Sequence, residues 1–321
     1  AVLSNDYNGR LGCTLENCCL WGCKNESIYT AQYDLKTLKK NKNFSYLKGI
    51  LVNKLSKTDN GYKIKVSGDA HKTIISAKFV CLAAGAIGST IIACKSLDMY
   101  DKKIKIMCHP AFAFPLIFPK RLGSSISKKN FSLGQLAYSL SKKNKEIAFG
   151  ILFSSEGILS SDIANYMPSS SPTSAFIAKI INPAILLANC YLPGSYSDCH
   201  LSINSSEDTK VNIKGGYSDG FEDNLNSVYK TLKKEFSRLG AYSIPGTLKL
   251  SKLGSDGHFV GSIPMKKTID GNLKLQSDFN GQINGLDGVY AVDGASIPVL
   301  PPKHPTFTIM ANADRIGKHI A

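Results

Sequence analysis

The sequence predicts an α/β fold, α+β overall. A Rossmann-like, nucleotide-type domain is built from both chain ends, around an inserted substrate unit of antiparallel sheet and helix. Three observations predict it. "KFVCLAAGAIGSTIIACKSL" (78–97) runs from a continuous apolar strand, through a glycine turn, into apolar residues at helical spacing. A strand that is apolar on both faces belongs in a covered parallel sheet. Residues 106–252 differ: "HPAFAFPLIF" and "GQLAYSLSKKNKEIAFGILFS" have the short strands and turns of an antiparallel sheet. Beyond Lys252 the glycine punctuation returns, with a short buried strand "VYAV" and a closing helix. The expected domains are therefore 1–105, 106–252 and 253–321.

Each element follows from a local signal. "IYTAQYDLKTLKK" (28–40) reads as a helix. "YLKGILVNKLSKTDNGYKIKVSG" (46–68) reads as two strands around Asp59-Asn60-Gly61, because Asn-Gly supplies the positive φ of a tight hairpin. "EDNLNSVYKTLKKEFSRLG" (222–240) places Leu225, Val228, Leu232 and Phe236 on one helix face, and Gly240 ends it. "AFIAKIINPAILLANCYL" (175–192) is the longest apolar stretch, interrupted by Lys179, Asn182, Pro183 and Asn189. It is expected as a buried helix pair, with peripheral membrane contact as the alternative. "TFTIMANADRIGKHI" is expected as a buried helix. No run reaches the roughly 18 apolar residues of a spanning helix, and the start "AVLSNDYNGR" lacks the marks of a signal peptide.

Composition narrows the function. The net charge is +15, yet only four of the 39 basic residues are arginine: Arg10, Arg121, Arg238 and Arg315. Base and phosphate recognition favours the arginine fork, so no nucleic-acid partner is expected. Of nine cysteines, Cys13, Cys18, Cys19 and Cys23 form one cluster without a second pair, which is not the zinc pattern. The remaining reading is buried free thiols in a reducing, cytoplasmic compartment.

Three loops are candidates for chemistry. In "LAAGAIGS" (82–89), Gly85 and Gly88 follow a buried strand and open a helix, which leaves free amides for a ligand. In "GSDGHFVGSIPM" (254–265), His258 sits in a glycine-rich loop. In "VYAVDGASIPVLPPKHPTFTIMANA" (289–313), Asp293-Gly294 ends a strand, where open α/β sheets bind ligands. Pro301, Pro302 and Pro305 then restrict the backbone around His304.

These segments, with "NCCLWGCKNESIYTAQYDL", "LVNKL" and "CHPAFAFP", occur in an order that resembles the glucose–methanol–choline family of FAD-dependent oxidoreductases. The resemblance spans most of 11–110 and 252–321. It implies FAD, an alcohol or sugar substrate, and an electron acceptor that it leaves open. It implies His258 as the main base and His304 as the second member of the pair, a position that is histidine or asparagine in the family. It sets Val52, Ala84 and Gly85 against the adenosine end of the cofactor. Asp293 and Gly294 fall at its phosphate–ribitol part, and Pro305 and Thr306 beside its ring. The family's opening G-x-G-x-x-G turn has no match here, so a fragment, or a separate N-terminal chain, is expected. Cys108 replaces an aspartate in "CHP", and Pro264-Met265-Lys266 replaces Arg-Met-Gly. The alternatives are a flavin-free, non-catalytic remnant and a basic module for anionic glycans or lipid-linked substrates.

Overall fold

In the computed structural model the described residues are 2–17, 19, 21–68, 74–125, 129–134, 136–155, 171–205, 210–271, 273 and 275–321. Of the cysteine cluster, Cys18 lies outside them; Cys13, Cys19 and Cys23 are half-buried and Cys81 is exposed, so burial of the thiols holds only for Cys94, Cys108, Cys190 and Cys199.

A short helix α1 (Gln32–Leu38) leads to the hairpin of β1 (Ile50–Thr58) and β2 (Gly61–Gly68). Thr58 pairs with Gly61 across Asp59-Asn60, so the hairpin falls where expected, but the positive φ is on Gly61 at the start of β2 and not on the two loop residues. Gly61 has φ +131°, and a Cβ there would lie 2.3 Å from the Ala77 carbonyl, so only glycine fits. β3 (Ile74–Ala77) adds antiparallel to β2. β4 (Val80–Leu82) then runs through the glycine turn into α2 (Gly85–Ser96).

The segment 106–252 divides between two sheets. β5 (Ile104–Ile106) precedes it. β6 (Ala111–Ile117), β7 (Leu136–Lys142), β8 (Lys145–Ser154), helix α3 (Ser171–Ile181) and β9 (Ile185–Tyr191) follow. β10 (Cys199–Ile203) and β11 (Val211–Lys214) leave that group and build a three-stranded sheet on β5, in the order β11-β10-β5. After α4 (Phe221–Arg238), β12 (Tyr242–Ser243) and β13 (Lys249–Leu250) both pair with β6. The six-stranded sheet so formed has the order β12-β6-β9-β8-β7. Pro115 sits inside β6, where a proline normally breaks a ladder. Its carbonyl accepts from Ile244, between the β12 and β13 pairings, so its missing N–H falls where the partner strand changes.

Period-two burial in β6 turns Phe112, Phe114 and Leu116 to one face, fully buried. α4 covers that face with Phe221, Val228, Leu232 and Phe236. Phe114 makes the centre of the contact, with ring centroids 5.0 Å from Tyr229 and 6.2 Å from Phe236.

The two chain ends meet at β14 (Val289–Ala291), which lies parallel to β4 with Val289 opposite Val80 and Ala291 opposite Leu82. The pairing is parallel, as the apolar "FVCLAA" strand predicts, but the expected cover on both faces is not there: Val80 and Leu82 are buried, whereas Phe79 and Cys81 on the other face are exposed. α5 (Thr306–Ile320) closes the chain.

Two further expectations fail. Residues 175–192 are not a helix pair: α3 stops at Ile181, a 3-10 turn spans Asn182–Ala184, and the rest is β9. Pro183 forces the break, because it cannot continue a helix, and the β-branched and apolar residues after it satisfy a central strand. α3 also leaves Phe176, Ile177 and Ile180 exposed. The closing helix α5 is not buried. Asn312 and Ile316 are, but Phe307 is 72% and Met310 46% exposed. Its apolar residues fall on two faces, and one face meets the core.

Phe114→Ala should cost about 3–5 kcal/mol, the range for deleting a buried phenyl ring. A urea titration should show a lower midpoint with the slope unchanged.

Candidate active site

Four side chains converge from three loops. The loop after β5 supplies His109, held in place by Pro110, whose carbonyl accepts from Leu192. The glycine-rich loop supplies Asp256 and His258. Gly257 between them has φ +71°, a left-handed conformation that lets both neighbours turn toward one point. The proline segment before α5 supplies His304. Tyr191, at the end of β9, packs its ring against all three imidazoles, with centroids 5.4 Å from His109, 5.8 Å from His258 and 4.8 Å from His304.

The His258 and His304 rings lie side by side, with centroids 4.9 Å apart. His258 Nδ1 is 3.0 Å from Asp256 Oδ2 and 3.2 Å from His109 Nδ1. His109 Nδ1 is 3.4 Å from the same carboxylate oxygen. On its other side, His109 Nε2 donates to the Pro301 carbonyl at 2.7 Å. Burial opposes ionisation of Asp256, but the two imidazoles outweigh it and hold the carboxyl far below the usual range. His304 is shifted down, first by burial and then by His258 and His109, so it stays neutral. Its buried Nε2 has no hydrogen-bond partner. Cys108, next to His109, faces Cys199 with sulfurs 3.5 Å apart. That hydrogen bond, then burial, pushes the Cys108 thiol far up.

The other expected residues group elsewhere. Val52 and Ala84 line a cleft of about 740 Å³, with Gly88 and the apolar residues Leu51, Ile64 and Ile92. Gly85 begins α2 with φ +75°, and a Cβ there would meet nothing within 4 Å. Asp293 and Gly294 lie between cleft and histidines. Asp293 is buried; its Oδ2 accepts from Ser89 Oγ on α2 at 2.5 Å and its Oδ1 from Ala295 N at 2.9 Å. Burial raises its carboxyl, against these hydrogen bonds. Gly294 backs onto the histidine loop: a Cβ would lie 2.6 Å from the Phe259 carbonyl. Its need for glycine is thus met by backbone packing. Pro305 is buried at the start of α5, while Thr306 is exposed.

Sequence reasoning overlooks His109, Asp256 and Tyr191. The signal for Asp256 is present in "SDGH", a carboxylate two residues before the histidine. For His109, 149 residues from His258, only the fold makes the contact.

No family model matches the chain. No curated protein matches it. Its architecture is similar to that of a solved oxidase. The comparison is with the crystal structure of pyridoxine 4-oxidase from Mesorbium loti, at a TM-score of 0.62 and 15% identity. The match covers 88% of this chain and 59% of that one, so the chain spans well under two thirds of that protein's length. The likeness is one of fold.

Gly294→Ala should lose about 1–3 kcal/mol, the range for overpacking against a fixed backbone. Gly317→Ala is the control: it sits in α5 with nothing within 4 Å of the added Cβ. It should gain about 0.4–1 kcal/mol from helix propensity and a less free unfolded chain. Denaturant midpoints of the two variants should move in opposite directions.

Proposed function

We propose that this chain forms part of a flavin-dependent oxidoreductase acting on the CH–OH group of an alcohol or sugar. The observation that carries the reading is the paired placement of His258 and His304, with His304 Nε2 buried and unpartnered. An unsatisfied buried nitrogen is costly, and a substrate hydroxyl is a group that would satisfy it.

The residues also fit the cofactor. Val52 and Ala84 line an apolar cleft, and Gly85 leaves open space beside it at the start of α2, where backbone amides favour a polar or anionic group. Asp293 and Gly294 would meet the central part of the cofactor, and Pro305 and Thr306 its ring. Bound flavin supplies the hydride acceptor.

The chain's own groups manage the hydroxyl proton. Asp256 faces Nδ1 of His258 and favours the tautomer with its proton there, which leaves Nε2 as the nitrogen that accepts. His304, neutral beside it, orients the hydroxyl. The fold similarity to an oxidase supports the class of chemistry, while the choice between alcohol and sugar rests on the sequence resemblance.

The test is anaerobic reduction of protein-bound flavin by a panel of primary alcohols and sugars. His258→Ala should slow reduction about 10²–10⁴-fold, the usual contribution of a general base. His304→Asn should retain most of the rate that His304→Ala loses, since an amide also binds a hydroxyl. Protein that binds no flavin, or a His258→Ala variant reduced at the unaltered rate, would refute the reading.

A further inference from the structure

The geometry points to a divalent transition-metal site of the Zn²⁺ type, formed by His109 Nδ1, His258 Nδ1 and Asp256 Oδ2. These three atoms are 3.2, 3.4 and 3.0 Å from one another. Ligands about 2.0–2.1 Å from a tetrahedral centre lie roughly 3.3 Å apart. Two imidazoles and a carboxylate also suit that class of ion.

Proton accounting supports a cation. The Pro301 carbonyl only accepts, so the proton of a neutral His109 is on Nε2. Nδ1 of His109 then presents a bare lone pair. It faces a carboxylate oxygen and a second imidazole nitrogen, so three lone pairs point at one place. A proton on one ring answers the carboxylate, whereas a cation answers all three atoms at once. The Asp256 side chain is only 7% exposed and the His109 side chain 0%. Both ring nitrogens lie within 3.4 Å of Asp256 Oδ2, yet among the described residues neither meets the geometry of a full hydrogen bond to it. A buried carboxylate oxygen aimed at two nitrogens, without a full hydrogen bond from either, is the state a bound cation resolves.

The surroundings are those of a metal ligand set as well. A ligating histidine commonly donates its second ring N–H to a backbone carbonyl, as His109 does to Pro301. Three protein ligands leave an open position for water or another small ligand.

The inference does not depend on flavin, and it adds a constraint to the oxidation proposed above. A cation on Nδ1 of His258 leaves the ring's proton on Nε2, so the ring cannot accept another there. Metal binding and proton acceptance by His258 are mutually exclusive, and the metal-loaded form is the one that cannot take the hydroxyl proton.

The experiment is equilibrium dialysis of the purified protein against Zn²⁺ or Co²⁺, followed by gel filtration and metal analysis. One ion per chain is expected to be retained. X-ray absorption at the zinc edge should show nitrogen and oxygen neighbours with imidazole scattering and no sulfur. Asp256→Asn and His109→Gln should each weaken retention by at least about 10-fold, which is the lower range even for losing an outer-shell partner. Circular dichroism checks that both variants fold, and the absorption spectrum of the unaltered protein needs no variant. Loss of the metal on gel filtration would overturn the site. So would sulfur in the shell, which would assign the ion to the cysteines, or undiminished retention by both folded variants.

Discussion

The bond from Ser89 to the Asp293 carboxylate joins groups 204 residues apart, and the arrangement of both candidate regions depends on it. Ser89 belongs to α2, whose first turn borders the cleft, and Asp293 follows β14 directly. The carboxylate is buried, which is unfavourable in itself. The Ser89 hydroxyl on one oxygen and the Ala295 amide on the other offset part of that cost. The next residue, Gly294, lies against the Phe259 carbonyl, and its own carbonyl accepts from Gly261. One dipeptide therefore fixes α2 on one side and the histidine loop on the other. A second contact runs beside it, where Thr90 Oγ1 meets Ser262 Oγ at 2.6 Å. α5 is tied to the same point, since Asn312 donates to Ser296, which donates to the Asp293 carbonyl. The parallel pairing of β4 with β14 would bring these segments near each other. The polar contacts fix their distance.

Parts of this were legible from residues alone, for a physical reason. The Asp59-Asn60-Gly61 hairpin and the face of α4 are local: the first needs positive φ at one position, the second a 3.6-residue period. The apolar "FVCLAA" strand indicated parallel pairing, which β14 provides, but only the face of Val80 and Leu82 is covered. His258 and His304 stood out because glycine and proline control the backbone on both sides of each, and they do lie together. What was not legible required distant contacts. Nothing local to His109 indicates that its ring will face a carboxylate from the far end of the chain. In 175–192 the mean apolarity favoured burial in a helix, but Pro183 sets the boundary and the sheet takes the rest. In α5 the apolar count suggested burial, whereas the positions of Phe307 and Met310 put them on the face that does not meet the core. Gly294 was legible as special, though its glycine answers to the Phe259 backbone.

The division of roles among the three imidazoles follows from charge. Asp256 offers one negative charge, and His109 and His258 both face it. Protonating one ring satisfies the carboxylate, and a second positive charge within the same few ångströms then meets repulsion with no counter-charge left. His304 is the ring to which this applies most: it is half-buried, it is not directed at the carboxylate, and the other two histidines already push its pKa down. In the proposed oxidation it serves as a hydrogen-bonding group rather than a charged one. In the proposed oxidation His258, with Asp256 on Nδ1 and its ring against His304, is the ring that takes the hydroxyl proton beside a counter-charge. A cation seated among His109, Asp256 and His258 answers the same unsatisfied lone pairs by another route. The proton and the metal ion compete for one site of negative potential, and that potential is set by a single aspartate.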